Sequence, residues 1–322
     1  MSLKVVNLSK RYNDKWALRD VSIDAAAGQV FGVFGPSGSG KSTLLNSIQG
    51  VTSLNGGSIY YLGKDVTKID PEERNFSAVQ NARRSIWQRI SKTKTFTSRG
   101  ERESQNILHA IESAERAILL DDPFCTMDAR RAADFLENIR SVAREKNLPV
   151  IFASVNFEHI LLACDRAAVL VNGEIKQIGA PQDVYEKPES RVVAEVTGRN
   201  NLFAARRLTS SKAETPEFQT IDGSHRLFAQ RIDRAALGAL NQNVTLAIRP
   251  EQVSISFGAS FPEDNLLKAT VTRIQFLGAT TLIGLDADGL KLNALVLRVV
   301  GLSIGDECMV GLPPDRIQIF RD

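Results

Sequence analysis

The chain has 322 residues, enough for about two domains that each bury a core. Charged residues make up 24% and hydrophobic residues 43%, and the net charge of +3 argues neither for nor against a nucleic-acid partner. No stretch approaches the ~20 apolar residues of a membrane span. Met1–Asn7 lacks a leader-like apolar run, and Cys125, Cys164 and Cys308 form no metal-like spacing and leave one over, so a reducing, cytoplasmic setting is expected.

In chain order, Gln29–Phe34 predicts a buried strand and Thr43–Ile48 a helix. Between them, Gly35-Pro36-Ser37-Gly38-Ser39-Gly40-Lys41-Ser42-Thr43 matches every fixed position of the phosphate-loop pattern G-x-x-x-x-G-K-[ST]. The glycines allow backbone N–H groups to turn inward around phosphates, Lys41 is placed to reach the β- and γ-phosphates, and the Ser42 hydroxyl to hold Mg²⁺. A chance Gly/Ser-rich turn is the plain alternative, and the strand–turn–helix setting weighs against it. The expected ligand is a nucleoside triphosphate with Mg²⁺, and the family resemblance described below implies ATP.

Further along, Ala117–Leu120, Val150–Ala153 and Ala167–Val171 predict strands, and Ala129–Glu145 and Phe157–Cys164 predict helices. Residues 1–198 therefore read as an α/β domain with a parallel sheet flanked by helices. The strand ending at Asp121 puts that carboxylate at the sheet's C-terminal edge, beside the phosphate loop, where it becomes a candidate Mg²⁺ ligand. Residues 199–322 change character. Short alternating runs (Val244–Ile248, Val253–Ser256, Ala269–Gln275, Thr280–Leu285, Lys291–Val296, Glu307–Val310, Ile317–Phe320) predict a small β-barrel or sandwich.

These motifs together resemble the ATPase subunit of an ABC-type importer, in the group with a C-terminal oligonucleotide-binding-like (OB-like) regulatory domain. The resemblance rests on the phosphate loop, on Leu8–Tyr12 and Ala17–Ser22 before it, on Ala117–Pro123, and on Leu246–Val253 and Val271–Gly278 in the second domain. It implies a P-loop NTPase fold, ATPase activity and a head-to-tail homodimer at the inner face of a cell membrane. Permease subunits are implied as direct partners, a solute-binding protein as an indirect one, and nucleic acid is not expected. By the same resemblance Tyr12 stacks on adenine, Gln80 links Mg²⁺ and the γ-phosphate, and Asp122 positions the attacking water. Ser98 and Gly100 act in trans as remnants of the signature, and Asp128 contacts the opposing subunit. As a bare residue Tyr12 is an ordinary tyrosine, and Asp128 equally caps the helix starting at Ala129.

Three features depart from the family pattern. Asp122 stands where the family has glutamate, which draws the carboxylate back by about one C–C bond, and a shift of about 1 Å can cost roughly a hundredfold in rate. Val155 stands where the family has a histidine that contacts the γ-phosphate, and loss of one such contact typically costs on the order of 10²–10³. His159 follows nearby on a helix, with the character of a surface histidine. Only residues 81–97 separate Gln80 from Ser98, so the helical subdomain of the family is truncated, and Arg99 replaces a signature glycine. The segment carries Arg83, Arg84, Arg89, Lys92 and Lys94 with no acid, which suits a solvated face, a docking surface, or an anionic partner. Two other functions follow from these departures. One is a nucleotide-binding but hydrolysis-impaired regulatory subunit, and the other is a soluble P-loop ATPase acting on nucleic acid.

Overall fold

Strands that bury both faces read as continuous apolar runs, and Val30–Phe34 (β3), buried at every position, lies at the centre of the first sheet. The computed structural model describes residues 2–80, 107, 111–124, 129–208, 216–230, 239–256, 265–298 and 301–321. The chain divides into two compact units, Met1–Glu189 and Ser190–Asp322.

In the first unit β3 is flanked by Val150–Ser154 (β8) and Arg166–Val171 (β9), both parallel to it. Ile118–Asp121 (β7) lies parallel beside β8, and Ser77–Gln80 (β6) parallel beside β7. Glu174–Gly179 (β10) closes the other edge antiparallel to β9. A second, antiparallel sheet is built from Ser2–Tyr12 (β1), Lys15–Ala26 (β2), Gly56–Tyr61 (β4) and Lys64–Asp65 (β5), in the order β2-β1-β4-β5. One apolar core joins Leu3, Val5 and Val21 of this sheet to Val33, Leu119 and Ile151 of the parallel one. Helix α1 (Lys41–Gln49) contributes Leu44, Leu45 and Ile48 to the same core.

The predicted helix over 129–145 is Ala129–Lys146 (α3). Ala132, Leu136, Ile139 and Ala143 are its buried stripe, at the 3.6-residue period of an amphipathic helix. The short helix Pro71–Arg74 (α2) ends in a buried arginine. Arg74 donates to the Ser47 and Ile48 carbonyls at 3.0 and 2.6 Å, and to Ile69 and Thr67 at 2.8 and 2.7 Å. It thereby satisfies carbonyls that α1 leaves open at its C-terminal end.

The second unit holds two antiparallel five-stranded sheets, as the alternating pattern predicts. One has Asn201–Arg207 (β11) at its centre and includes Asn243–Ile248 (β14) and Gln318–Phe320 (β20). The other is centred on Asn265–Phe276 (β16), beside Thr281–Ala287 (β17) and Glu307–Leu312 (β19), with Leu290–Val296 (β18) at its edge. Phe218, Leu246, Val271, Leu285 and Val310 fill the core between them. Asn201 reaches from one sheet to the other: its amide donates to the Asn293 carbonyl at 2.8 Å and its side-chain oxygen accepts from the Asn293 N–H at 2.7 Å.

The helix Arg191–Thr197 groups with this second unit rather than with the α/β unit, so the division falls before residue 198. The reason is packing within the unit. Ala194 joins Ala247 and Phe320, and the fully buried Arg249 donates to Thr197 Oγ1 at 3.0 Å and to the Arg199 carbonyl at 3.2 Å. Among the described residues no helix is long and apolar enough to cross a membrane.

Candidate nucleotide site

The phosphate-loop residues connect β3 to α1, as the sequence predicts. Two of its glycines have no substitute. A Cβ on Gly35 would meet the Leu170 carbonyl oxygen at 2.1 Å, and one on Gly40, at φ 110°, would meet the Ala17 oxygen at 2.5 Å. Gly40 is also the N-cap of α1 and offers no side-chain acceptor, so the helix keeps free N–H groups at its start. The loop is further tied down by the Gly173 N–H, which donates to the Ser39 carbonyl at 2.9 Å. A backbone cradle at an uncapped helix N-terminus suits a polyphosphate.

Lys41 is buried, and its ammonium donates to the Gly35 and Pro36 carbonyls at 2.7 and 2.9 Å. Burial lowers its pKa below the ordinary lysine value, and the nearby charges of Asp122 and Asp121 oppose that shift. Asp121 is the last residue of β7 and is buried; Gln80, the last residue of β6, is its register partner. The predicted ligands Gln80 and Asp121 thus end adjacent strands. Asp122 follows in the left-handed region at φ 48°, its N–H donating to the Ala153 carbonyl at 2.9 Å. Its carboxyl is pushed up by burial and then by Asp121, while Lys41, His159 and a hydrogen bond from Ser154 pull it down. One ammonium facing two carboxylates beside a phosphate cradle is a donor set that fits Mg²⁺ and a triphosphate, although no group of three or more His, Cys, Asp or Glu is clustered among the described residues.

Tyr12 ends β1 and is 49% exposed, with the Lys10 ammonium over its ring 5.0 Å from the centroid. Val155 is 48% exposed past the end of β8. Ser98, Gly100, Asp128 and the shortened segment 81–97 lie outside the described residues.

His159, expected at the surface, is half-buried. It sits on the helix Phe157–Ala163 (α4), whose N-cap Asn156 accepts from the Glu158 N–H at 2.9 Å. From there its ring packs edge-on against Phe124 at 5.7 Å, and Nδ1 lies 3.4 Å from Ser154 Oγ. Ser154 carries no catalytic motif in the sequence, and only its place at the end of a buried strand beside the acidic one points to it.

Two family models match the chain: "ABC transporter" over residues 18–95 and "TOBE domain" over residues 246–320. The chain is 28% identical to a molybdate/tungstate import ATP-binding protein of Pyrococcus horikoshii, with 99% of each chain covered. It is 25% identical to a spermidine/putrescine import ATP-binding protein of Trichormus variabilis, covering 94% of this chain and 86% of the relative. An Fe(3+) ions import ATP-binding protein of Rhizobium meliloti is 27% identical, with 94% and 87% covered. Among solved structures, a nucleotide-free ATP-binding cassette from an ABC transporter superposes with a TM-score of 0.53 at 20% identity, over 62% of this chain and all of that one. At that identity the likeness speaks for the fold. A cassette fold, a TOBE segment and likeness to import ATP-binding proteins running nearly end to end support an ABC importer ATPase subunit with a C-terminal OB-like domain.

Proposed function

We propose that this ATPase couples Mg·ATP binding and hydrolysis to solute uptake through membrane permease subunits. The observation that carries this reading is the backbone cradle of the phosphate loop, with buried Lys41 donating to its carbonyls and buried Asp121 ending β7 of the same sheet. The backbone from Gly35 to Thr43 cradles the phosphates, and Lys41 exchanges its loop carbonyls for β- and γ-phosphate oxygens. Ser42, Gln80 and Asp121 hold Mg²⁺, which supplies charge neutralisation on the phosphates. Asp122 orients the attacking water, and Tyr12 stacks on the adenine. Ser98 and Gly100 of a second copy complete the site in a head-to-tail homodimer, with Asp128 at the contact. The dimer works on the cytoplasmic face of the membrane, where permease subunits bind it and a solute-binding protein selects the cargo.

The test is steady-state Mg·ATP hydrolysis by the purified chain with Lys41→Ala as the blank. Turnover above the blank supports the motor. Turnover at the blank level, in a folded chain that still binds ATP, overturns it in favour of a regulatory ABC subunit, the reading that exposed Val155 favours.

A further inference from the structure

The phosphate loop leans on two segments outside its own motif, and all three meet at one backbone carbonyl. Ala17 of β2 places its oxygen between Gly40 of the loop and Gly173 of the turn that joins β9 to β10. A Cβ on Gly40 would stand 2.5 Å from that oxygen. One on Gly173 would stand 2.7 Å from it and 3.0 Å from the Ala17 carbonyl carbon. Both positions need glycine for closeness as well as for their φ of 110° and 78°.

Gly173 also bonds to both sides of this contact. Its N–H donates to the Ser39 carbonyl at 2.9 Å, and its carbonyl accepts from the Arg19 N–H at 2.8 Å. The Arg19 guanidinium reaches the adjoining Glu174 carboxylate at 3.2 Å. The buried Gly173 is thus tied to the loop on one side and to β2 on the other. On the β1–β2 hairpin Tyr12 pairs with Lys15, and only about 7 Å of strand separates Lys15 from Ala17.

We propose that Gly173 is a positioning residue for the nucleotide: it clasps Ala17 against the phosphate loop and so sets the distance from the Tyr12 ring to the phosphate cradle. A ligand held by both its base and its phosphates needs that distance fixed, and one held by phosphates alone does not. Gly173 itself touches no nucleotide. The inference rests on the reading of Tyr12 as the residue that stacks on adenine, and it requires binding but not turnover.

The fold supplies a control for backbone strain. Leu62-Gly63 joins β4 to β5 as Asn172-Gly173 joins β9 to β10, with φ of 54° and 77° against 51° and 78°. Each is a two-residue hairpin turn with both residues left-handed. Gly63 is exposed, and a Cβ there meets nothing within 4 Å. Alanine therefore meets the same conformational strain at both positions but pushes on β2 only from 173.

Calorimetric titrations with a non-hydrolysable ATP analogue and with inorganic triphosphate, each with Mg²⁺, test the proposal. Gly173→Ala is expected to weaken the ATP analogue about tenfold, as loss of a stacking contact would, and inorganic triphosphate by less than about twofold. Gly63→Ala is expected to leave both affinities unchanged. Equal losses for the two ligands in Gly173→Ala, or no loss for the ATP analogue, overturn the proposal. Tyr12→Leu is expected to lose the ATP analogue to a similar extent. Parent affinity in that variant overturns the stacking reading and this inference together, whereas loss in Tyr12→Leu without loss in Gly173→Ala overturns this inference alone.

Hydrogen exchange in the unsubstituted protein reads the same clasp where Gly173→Ala does not fold. The ATP analogue is expected to slow exchange of the Arg19 and Gly173 amides about tenfold more than inorganic triphosphate does. Equal slowing by the two ligands overturns the proposal. Turnover of the parent at the Lys41→Ala blank overturns the hydrolytic reading alone.

Discussion

The Lys41 ammonium donates to the Gly35 carbonyl 2.7 Å away, so the phosphate loop is closed on itself by the residue that is to bind phosphate. Lys41→Ala removes this donor together with the positive charge that acts on Asp121 and Asp122. ATP affinity is expected to fall by about a hundredfold, as befits loss of a charge-assisted contact worth about 3 kcal/mol. Calorimetric titration with a non-hydrolysable ATP analogue checks it.

Gly35 and Gly38 share the loop but not its constraints. Gly35→Ala drives a Cβ to 2.1 Å from the Leu170 oxygen, which forces backbone to move, and is expected to lower stability by about 3 kcal/mol or more and abolish nucleotide binding. Gly38→Ala meets nothing within 4 Å and carries only the penalty of φ 82°, about 1–2 kcal/mol. Parallel urea titrations of the two variants distinguish them, and equal losses would contradict the packing account.

Arg74→Leu removes the side-chain donor to the Ile48, Thr67 and Ile69 carbonyls in a buried place and leaves the Ser47 carbonyl with only the Gly50 N–H. A loss of about 3–5 kcal/mol is expected, the range for breaking a buried charged contact. Arg74→Lys keeps the charge but cannot reach four acceptors with one fork, and is expected to recover only part of it. Chemical denaturation followed by tryptophan fluorescence reports both.

Asp122→Glu with Val155→His is expected to raise kcat by about tenfold or more, because both positions then carry the longer carboxylate and the imidazole that the family uses. The Val155 side chain is half exposed, so a histidine enters without displacing core. A coupled-enzyme assay under saturating ATP measures it, and an unchanged kcat would contradict it.

Burial pushes the Cys164 thiol far above its ordinary value, and the Cys308 thiol is raised for the same reason. Alkylation needs the thiolate. Both cysteines are expected to stay unmodified by iodoacetamide at pH 8 in the native protein and to react once it is unfolded, as read by peptide mass spectrometry.

Much of the core architecture is legible in the sequence because periodicity survives in it. The strand predicted over Gln29–Phe34 is observed as Val30–Phe34, and the runs at 150, 166 and 281 likewise differ only at their ends. The strand Asn201–Arg207 is harder to read, since it alternates through Ala204 and two arginines and is held in part by the Asn201–Asn293 exchange from a distant strand. The site is legible to the extent that a motif is contiguous: Gly35–Thr43 and Asp121 come from local pattern. The approach of His159 Nδ1 to Ser154 Oγ is not, because it joins two elements through a serine that no motif marks and a histidine packed edge-on against Phe124.

Arg74 has a mechanical consequence as well as an energetic one. It caps the far end of the helix that the phosphate loop begins, and it stands immediately before the strand that ends at Gln80. Arg116, just before β7, donates to the Glu73 and Arg74 carbonyls at 3.0 Å each and so brings the Asp121 strand to the same point. The cradle, Gln80 and Asp121 are therefore three arms rooted in one anchor.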